Sequence, residues 1–287
     1  MNFTMYAKFY RLVLNEGIEK AADYAKSLGF SSVEFFEFIG KNWTECVPST
    51  EDAKRMRAVL ESRGLSTACY SIAVGLYEEG MTSDTVTAAE KKLMQYAERA
   101  AALGCPYLHH TLTIDVERFL TEETALKYIV PAAIRVAKYA HSLGVTCIYE
   151  DQGPFFNGVE GFGKFFYAVK AECPWVGVCG DVGNTLFADA CPEDFFRAYA
   201  HEMKHVHIKD YIRADERGEG AGWSPSLGGK WLKETVIGQG VIDQDACLAE
   251  LRRVGYTGAF GFENNHEEDY ALGTAIGMRL LNEKFQQ

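Results

Sequence analysis

The feature that most constrains this chain is a rhythm. An amphipathic helical stretch ends at a small-residue stop, usually glycine, and a short β-rich run follows. The joints are Leu28-Gly29-Phe30, Arg63-Gly64-Leu65, Leu103-Gly104-Cys105, Leu143-Gly144-Val145, Cys173-Pro174-Trp175 and Val254-Gly255-Tyr256. Glycine ends a helix readily because it accepts the left-handed backbone there. Apolar residues at helical spacing predict helices over 17–28, 84–103 and 122–143, where Pro131 either kinks the last one or marks a late start. Strands are predicted at 2–6, 32–38, 65–72, 106–112, 145–150, 175–181, 204–210 and 258–263. They are apolar along most of their length, as strands covered on both faces must be.

Eight strands alternating with eight helices, at about 36 residues per unit, is the size and rhythm of a single α/β domain folded as a (β/α)₈ TIM barrel over residues 1–287. An open doubly wound sheet is the runner-up. It would carry a glycine-rich turn after its first strand, and Ala7 to Asn15 contains no glycine. The segment 211–240 is long, glycine-rich and holds Trp223 and Trp231. On a barrel it follows strand 7 at the catalytic face, so it is read as a lid.

Charge narrows the partners. The net charge of −11 repels polyanions, which argues against nucleic acid and anionic membranes. No apolar run approaches the ~18–20 residues that span a bilayer. The start, MNFTMYAKFYRLVLNEG, lacks an apolar core followed by a cleavage site, so no signal peptide is expected. The eight cysteines form no CxxC pair and several lie in strand-like runs, which suits a reducing cytoplasm.

In a barrel, function sits at the C-terminal ends of the strands. Strand 5 ends in Glu150, strand 6 in Asp181, strand 7 in His207 and strand 8 in Glu263. Three carboxylates brought together without a cation would repel one another until one took a proton. A divalent ion resolves the conflict. Oxygen ligands with one histidine suit Mn²⁺ first, with Mg²⁺, Co²⁺ or Zn²⁺ as alternatives. His205, His207 and Lys209 share one face of their strand, and Lys209 and Asp210 are placed to hold substrate oxygens or to orient ligands. Of His109 and His110, which end strand 4, only one can face the site; His110 is carried forward as a substrate-side residue. His141, His201 and His266 fall on helices and read as surface residues.

Several segments together resemble the xylose-isomerase-like barrel superfamily of sugar isomerases, ketose 3-epimerases and sugar-phosphate epimerases. They are VEF at 33–35, IYED at 148–151, GDVGN at 180–184, HVHIKD at 205–210, IGQGVID at 237–243 and GFEN at 261–264. The resemblance implies that Glu150, Asp181, His207 and Glu263 ligate one metal ion. It also implies that Glu150 and Glu263 are the catalytic proton-transfer pair. Arg213 matches an arginine that binds substrate oxygen in ketose 3-epimerases, and Asn184 stands where many members have histidine and sugar-phosphate relatives have asparagine. Tyr70 and Asn184 replace ligands that the superfamily's trinuclear zinc endonucleases need.

The activity expected is that of an isomerase or epimerase in carbohydrate metabolism. A proton moves beside the carbonyl of a ketose or ketose phosphate through an enediolate, with His110, Asn184, Lys209 and Arg213 on the substrate. The alternatives are a metal-dependent lyase that cleaves C-glycosides, a phosphoester hydrolase, and a sugar binder without catalysis. Expected partners are the small sugar and further copies of the same chain.

Overall fold

The computed structural model describes residues 1–40, 43–113, 121–153, 155–263 and 269–285. His266 and Asn264 lie outside them. Eight parallel strands close into a barrel: β1 (Asn2–Met5), β2 (Ser32–Phe38), β3 (Ser66–Ala73), β4 (Tyr107–His110), β5 (Thr146–Tyr149), β6 (Gly177–Asp181), β7 (Met203–Ile208) and β11 (Ala259–Phe262). β11 lies between β7 and β1 and completes the ring. The barrel is as the sequence rhythm predicts.

Helices surround it, and their ends follow from local chemistry. Gly17, at φ +88°, divides α1 (Phe9–Glu16) from α2 (Ile18–Ser27), so the first crossover holds two helices where one is expected. Ser49 caps α3 (Thr50–Ser62) by accepting the Asp52 N–H. Thr87 and Glu90 cap α4 (Ala88–Leu103) reciprocally, which moves its start four residues beyond the predicted one. α5 (Glu122–Ser142) runs unbroken through Pro131. The ring continues with α6 (Gly158–Glu172), α7 (Pro192–Tyr199), α8 (Gln244–Arg253) and α9 (Tyr270–Phe285). Among the described residues no helix is long and apolar enough to cross a membrane.

The segment after β7 is more ordered than its glycine content suggests. The predicted strand 204–210 ends at Ile208. The chain then enters β8 (Asp210–Ala214), which joins β9 (Trp223–Pro225) and β10 (Trp231–Thr235) in a separate antiparallel sheet. Asp210, buried at the hinge, accepts backbone N–H groups from Tyr211 (2.9 Å), Gly238 (2.9 Å), Gly240 (2.9 Å) and Ile242 (3.2 Å). A Cβ at Gly240 would lie 2.1 Å from Asp210 Oδ1, so glycine is required there. The far end is tied down by Asp189, which accepts from the Ser226 hydroxyl at 2.8 Å and from the Gly228 N–H at 2.5 Å.

The helix layer packs on an apolar shell, but the barrel's middle does not follow that pattern. Thr4, Ser32, Glu34, Ser71, His109, His205 and His207 are all buried. Barrel interiors are usually filled with Val, Ile and Leu. A polar interior must hydrogen-bond within itself, and it points to where function lies.

Candidate metal centre

Four elements deliver the four predicted donors to one place. Asp181 ends β6, His207 is the penultimate residue of β7, and Glu150 and Glu263 each lie one residue beyond β5 and β11. One ligand atom from each of the four lies within 4.8 Å of all the others. His207 Nδ1 is 2.7 Å from Glu150 Oε1, 3.9 Å from Asp181 Oδ2 and 3.8 Å from Glu263 Oε2. Donors ~2.1 Å from a shared ion stand roughly 3 to 4.2 Å apart; the Asp181 and Glu263 spacings fall in that range, while the 2.7 Å contact with Glu150 is a hydrogen bond that an ion would replace and lengthen.

The backbone leaves the right atoms free. Asp181 Oδ1 accepts the N–H groups of Gly183 (2.7 Å) and Asn184 (2.8 Å), which turns Oδ2 toward the cluster. The Lys209 ammonium lies 2.8 Å from Asp181 Oδ2 and 2.8 Å from Glu263 Oε2, and donates to Asn184 Oδ1 at 3.2 Å. Three carboxylates against one ammonium leave a formal charge of 2−, which one divalent ion would balance. The donor set, oxygen-rich with one imidazole, fits Mn²⁺, Mg²⁺, Co²⁺ or Zn²⁺.

The electrostatics show the same crowding. Burial and the neighbouring Asp181 push the Glu150 carboxyl above its ordinary range. Burial opposes a charge on His207, yet Cys179, Glu34 and Glu150 outweigh it and raise the imidazole. Cys179 is itself raised by burial and remains a thiol, so the carboxylates carry that effect. Directly behind Glu150, burial and then Asp181 push buried Asp151 well up, and neither of its carboxyl oxygens has a hydrogen-bond partner among the described residues.

The mouth opens on the Glu263 side. The Glu263 side chain is 25% exposed, whereas those of Asp181 and His207 are at most 1% exposed. A cavity of about 200 Å³ there is lined by Tyr6, Ala7, Tyr10, Arg11, Phe36 and Glu263. Tyr6 stacks on His207 with centroids 4.6 Å apart and planes 13° from parallel.

The profile of the xylose isomerase-like TIM barrel family matches residues 22–284. The chain belongs to that family. Solved structures of the same fold include an L-ribulose 3-epimerase (TM-score 0.73, 16% identity, covering 99% of this chain and 94% of that one). Another is 3-keto-D-glucoside 4-epimerase, YcjR, from E. coli (TM-score 0.71, 14% identity, 99% of each chain). A third is the IOLI protein with a bound zinc atom (TM-score 0.74, 15% identity, 100% of this chain and 98% of that one). At these identities the likeness is one of fold. No curated protein sequence matches this one significantly.

Within the family's barrel, two expected substrate residues stand elsewhere. His110 faces away from the axis: its ring packs edge-on against Tyr149 at 5.2 Å and its Nδ1 lies 2.9 Å from the Thr111 carbonyl. The register of β3 and β4 pairs Ser71 with His109, and it is His109 that turns inward, 2.9 Å from Ser71 Oγ. The inward histidine of strand 4 is thus His109, a correction to the sequence reading. Arg213 is an exposed residue of β8, opposite Leu232 of β10, with Asp215 as a charge neighbour. Strand 7 had to end and re-pair at Asp210 for this to happen, and sequence gave no sign of it.

One buried acid was missed. Glu34 lies inside the barrel on β2 and contacts both His205 and His207. A charged residue inside the apolar run SVEFFEF was the available signal. Glu37, three residues on, is equally buried, but it accepts from Trp43 Nε1, the Val47 N–H and the Tyr70 hydroxyl, outside the cluster.

Proposed function

We propose that this protein is a divalent-metal-dependent sugar isomerase or epimerase, which moves a proton at the carbon beside a ketose carbonyl. The observation that carries the reading is the convergence of Glu150, Asp181, His207 and Glu263 around one point at the barrel mouth. Two of the fold relatives are described as epimerases and a third holds zinc, which supports the reading. Glu150, Asp181, His207 and Glu263 would hold the ion, with Mn²⁺ the first choice. When bound, it supplies a Lewis acid for the carbonyl oxygen and the adjacent hydroxyl.

The protein's own groups do the rest. Glu150 and Glu263 come from β5 and β11, which β6 and β7 separate, so they reach the substrate from different sides. One takes the proton from carbon and the other returns a proton, which inverts the centre. Each such transfer is worth on the order of 10²–10⁴-fold in rate. Lys209, held between Asp181 and Glu263, and Asn184 bind sugar oxygens. The Tyr6, Tyr10 and Phe36 rings offer an apolar wall to the sugar's C–H face. Segment 211–240 serves as the lid: Tyr211, at its foot, packs beside Lys209 around Gly183. Eight free cysteines, of which Cys191 alone is exposed, suit a reducing compartment such as the cytoplasm.

The test is solvent exchange. The Mn²⁺-loaded protein, offered a panel of ketoses and ketose phosphates in deuterated water, should place deuterium on the carbon next to the carbonyl of its substrate. Turnover that keeps all substrate hydrogen would rule the mechanism out. Release of an aglycone or of phosphate would move the protein to a lyase or a hydrolase.

A further inference from the structure

Beneath the four-donor cluster lies a layer of ionisable groups that the proposed chemistry leaves unused, and Glu34 is at its centre. His205 Nε2 lies 2.7 Å from Glu34 Oε2. His207 Nε2 lies 3.1 Å from Oε1 and 3.3 Å from Oε2. The Ser71 hydroxyl donates to Oε1, and Ser71 Oγ is 2.9 Å from His109 Nδ1. Two imidazole nitrogens and one hydroxyl, each able to donate, thus close on the two oxygens of the buried Glu34, which are the surroundings of a carboxylate and not of a carboxylic acid.

An ionised carboxylate only accepts, so every neighbour must bring the hydrogen. That puts a proton on His205 Nε2 and on His207 Nε2. The one hydrogen of Ser71 is committed to Glu34, so Ser71 Oγ must accept from His109. That places the proton of His109 on Nδ1. The nitrogen of His109 left to offer a lone pair is Nε2, which has no hydrogen-bond partner among the described residues and lies 3.8 Å from Glu150 Oε2. For His207, the nitrogen that can be given up is Nδ1, the one facing Glu150 and the other donors.

We propose that Glu34 is the positioning residue of this centre. Directly for His207, and through Ser71 for His109, it decides which ring nitrogen each histidine presents as a lone pair to the cluster above. Gly261 is part of the device, since a Cβ there would stand 3.0 Å from His205 Nε2, 3.0 Å from His207 Cδ2 and 3.1 Å from Glu34 Oε2. The strand carries no side chain where the three groups meet. A carboxylate that fixes a histidine's tautomer from behind raises its strength as a ligand, and removing such a partner typically lowers metal affinity 10–100-fold.

What the lone pairs serve rests on the metal reading; the proton positions do not. Nitrogen-15 NMR of histidine-labelled protein reads both. In the metal-free protein, His109 should carry its proton on Nδ1 and His205 on Nε2. With zinc as a diamagnetic probe, His207 should keep Nε2–H. Glu34→Gln, near-isosteric but able to donate, should lose this pattern and bind Mn²⁺ 10–100-fold more weakly. Ser71→Ala should free His109 alone and leave Mn²⁺ affinity within about threefold, and this variant tests the relay even if Glu34→Gln does not fold. A proton on His109 Nε2 in the unmodified protein overturns the proposal. So does a Glu34→Gln protein that keeps all three tautomers and its Mn²⁺ affinity. Should the expected tautomers appear in a protein that binds neither Mn²⁺ nor zinc, the metal reading fails and the assignment of Glu34 stands for His109 and His205.

Discussion

Two regions of this molecule, one at Asp210 and one around His207 three residues earlier, gather carboxylates and treat them in opposite ways. At the hinge after β7, Asp210 meets four neutral backbone N–H groups and, among the described residues, forms no ion pair. Around His207, three carboxylates meet one another, one lysine and one imidazole. The first arrangement is self-sufficient: the donors are neutral, fixed and local, and they compensate the lost hydration. The second leaves excess negative charge out of water, which a fold does not retain for stability alone. A buried acid satisfied by backbone organises structure, whereas buried acids facing each other call for a ligand.

The comparison can be broken by experiment. The largest effect should come from the unsatisfied region. Glu150→Gln should slow the proposed solvent exchange on the order of 10²–10⁴-fold, measured with saturating Mn²⁺, while the folded structure persists by circular dichroism. If activity survives that change, the cluster is not the reaction centre. Asp210→Asn tests the other side. An amide cannot accept all four N–H groups, so chemical denaturation should show a loss of about 2–4 kcal/mol, with Mn²⁺ affinity close to that of the unmodified protein. A large loss of Mn²⁺ affinity there would erase the distinction drawn above.

Metal should couple to stability through the cluster alone. Mn²⁺ at a hundred times its dissociation constant should raise unfolding free energy by about 2.7 kcal/mol, and Asp181→Asn should abolish the increase. The same Mn²⁺ dependence should persist in Asp210→Asn.

The smallest effect concerns Glu37, the buried acid on β2 that faces away from the cluster. Burial raises its carboxyl. A raised folded-state value means that the folded protein holds this proton more tightly than the unfolded chain does. The stability it contributes is complete below the unfolded value, near pH 4, and is lost as pH rises through the raised value. Glu37→Gln should therefore gain stability relative to the unmodified metal-free protein as pH rises across that window, read by chemical denaturation at a series of pH values. A flat difference with pH would show that its three hydrogen bonds fully compensate burial.

How much of this was legible beforehand differs between fold and site. The barrel was legible because glycine stops and apolar strand runs are local signals, and closure follows once eight parallel units must hide both faces. The four donors were legible because each stands at a strand's C-terminal end, where a barrel gathers its chemistry. Inward and outward positions were not. His109 and His110 differ by one residue, and the pairing of β3 with β4 settles which of them points in. The register shifts between Val33 and Glu34 and again between Val178 and Cys179, irregularities that alternation alone does not reveal. The same limit hid the end of strand 7 at Ile208 and the exposed position of Arg213.

By itself, then, the sequence determined the architecture and the identity of the groups at its mouth, since both follow from short-range pattern. Tertiary structure alone decided that Glu34 sits beneath His207, that His109 faces inward, and that Asp210 closes the hinge. Those facts depend on contacts such as Glu34 with His205, 171 residues apart in the chain, and on register shifts that change which residues of neighbouring strands stand opposite each other.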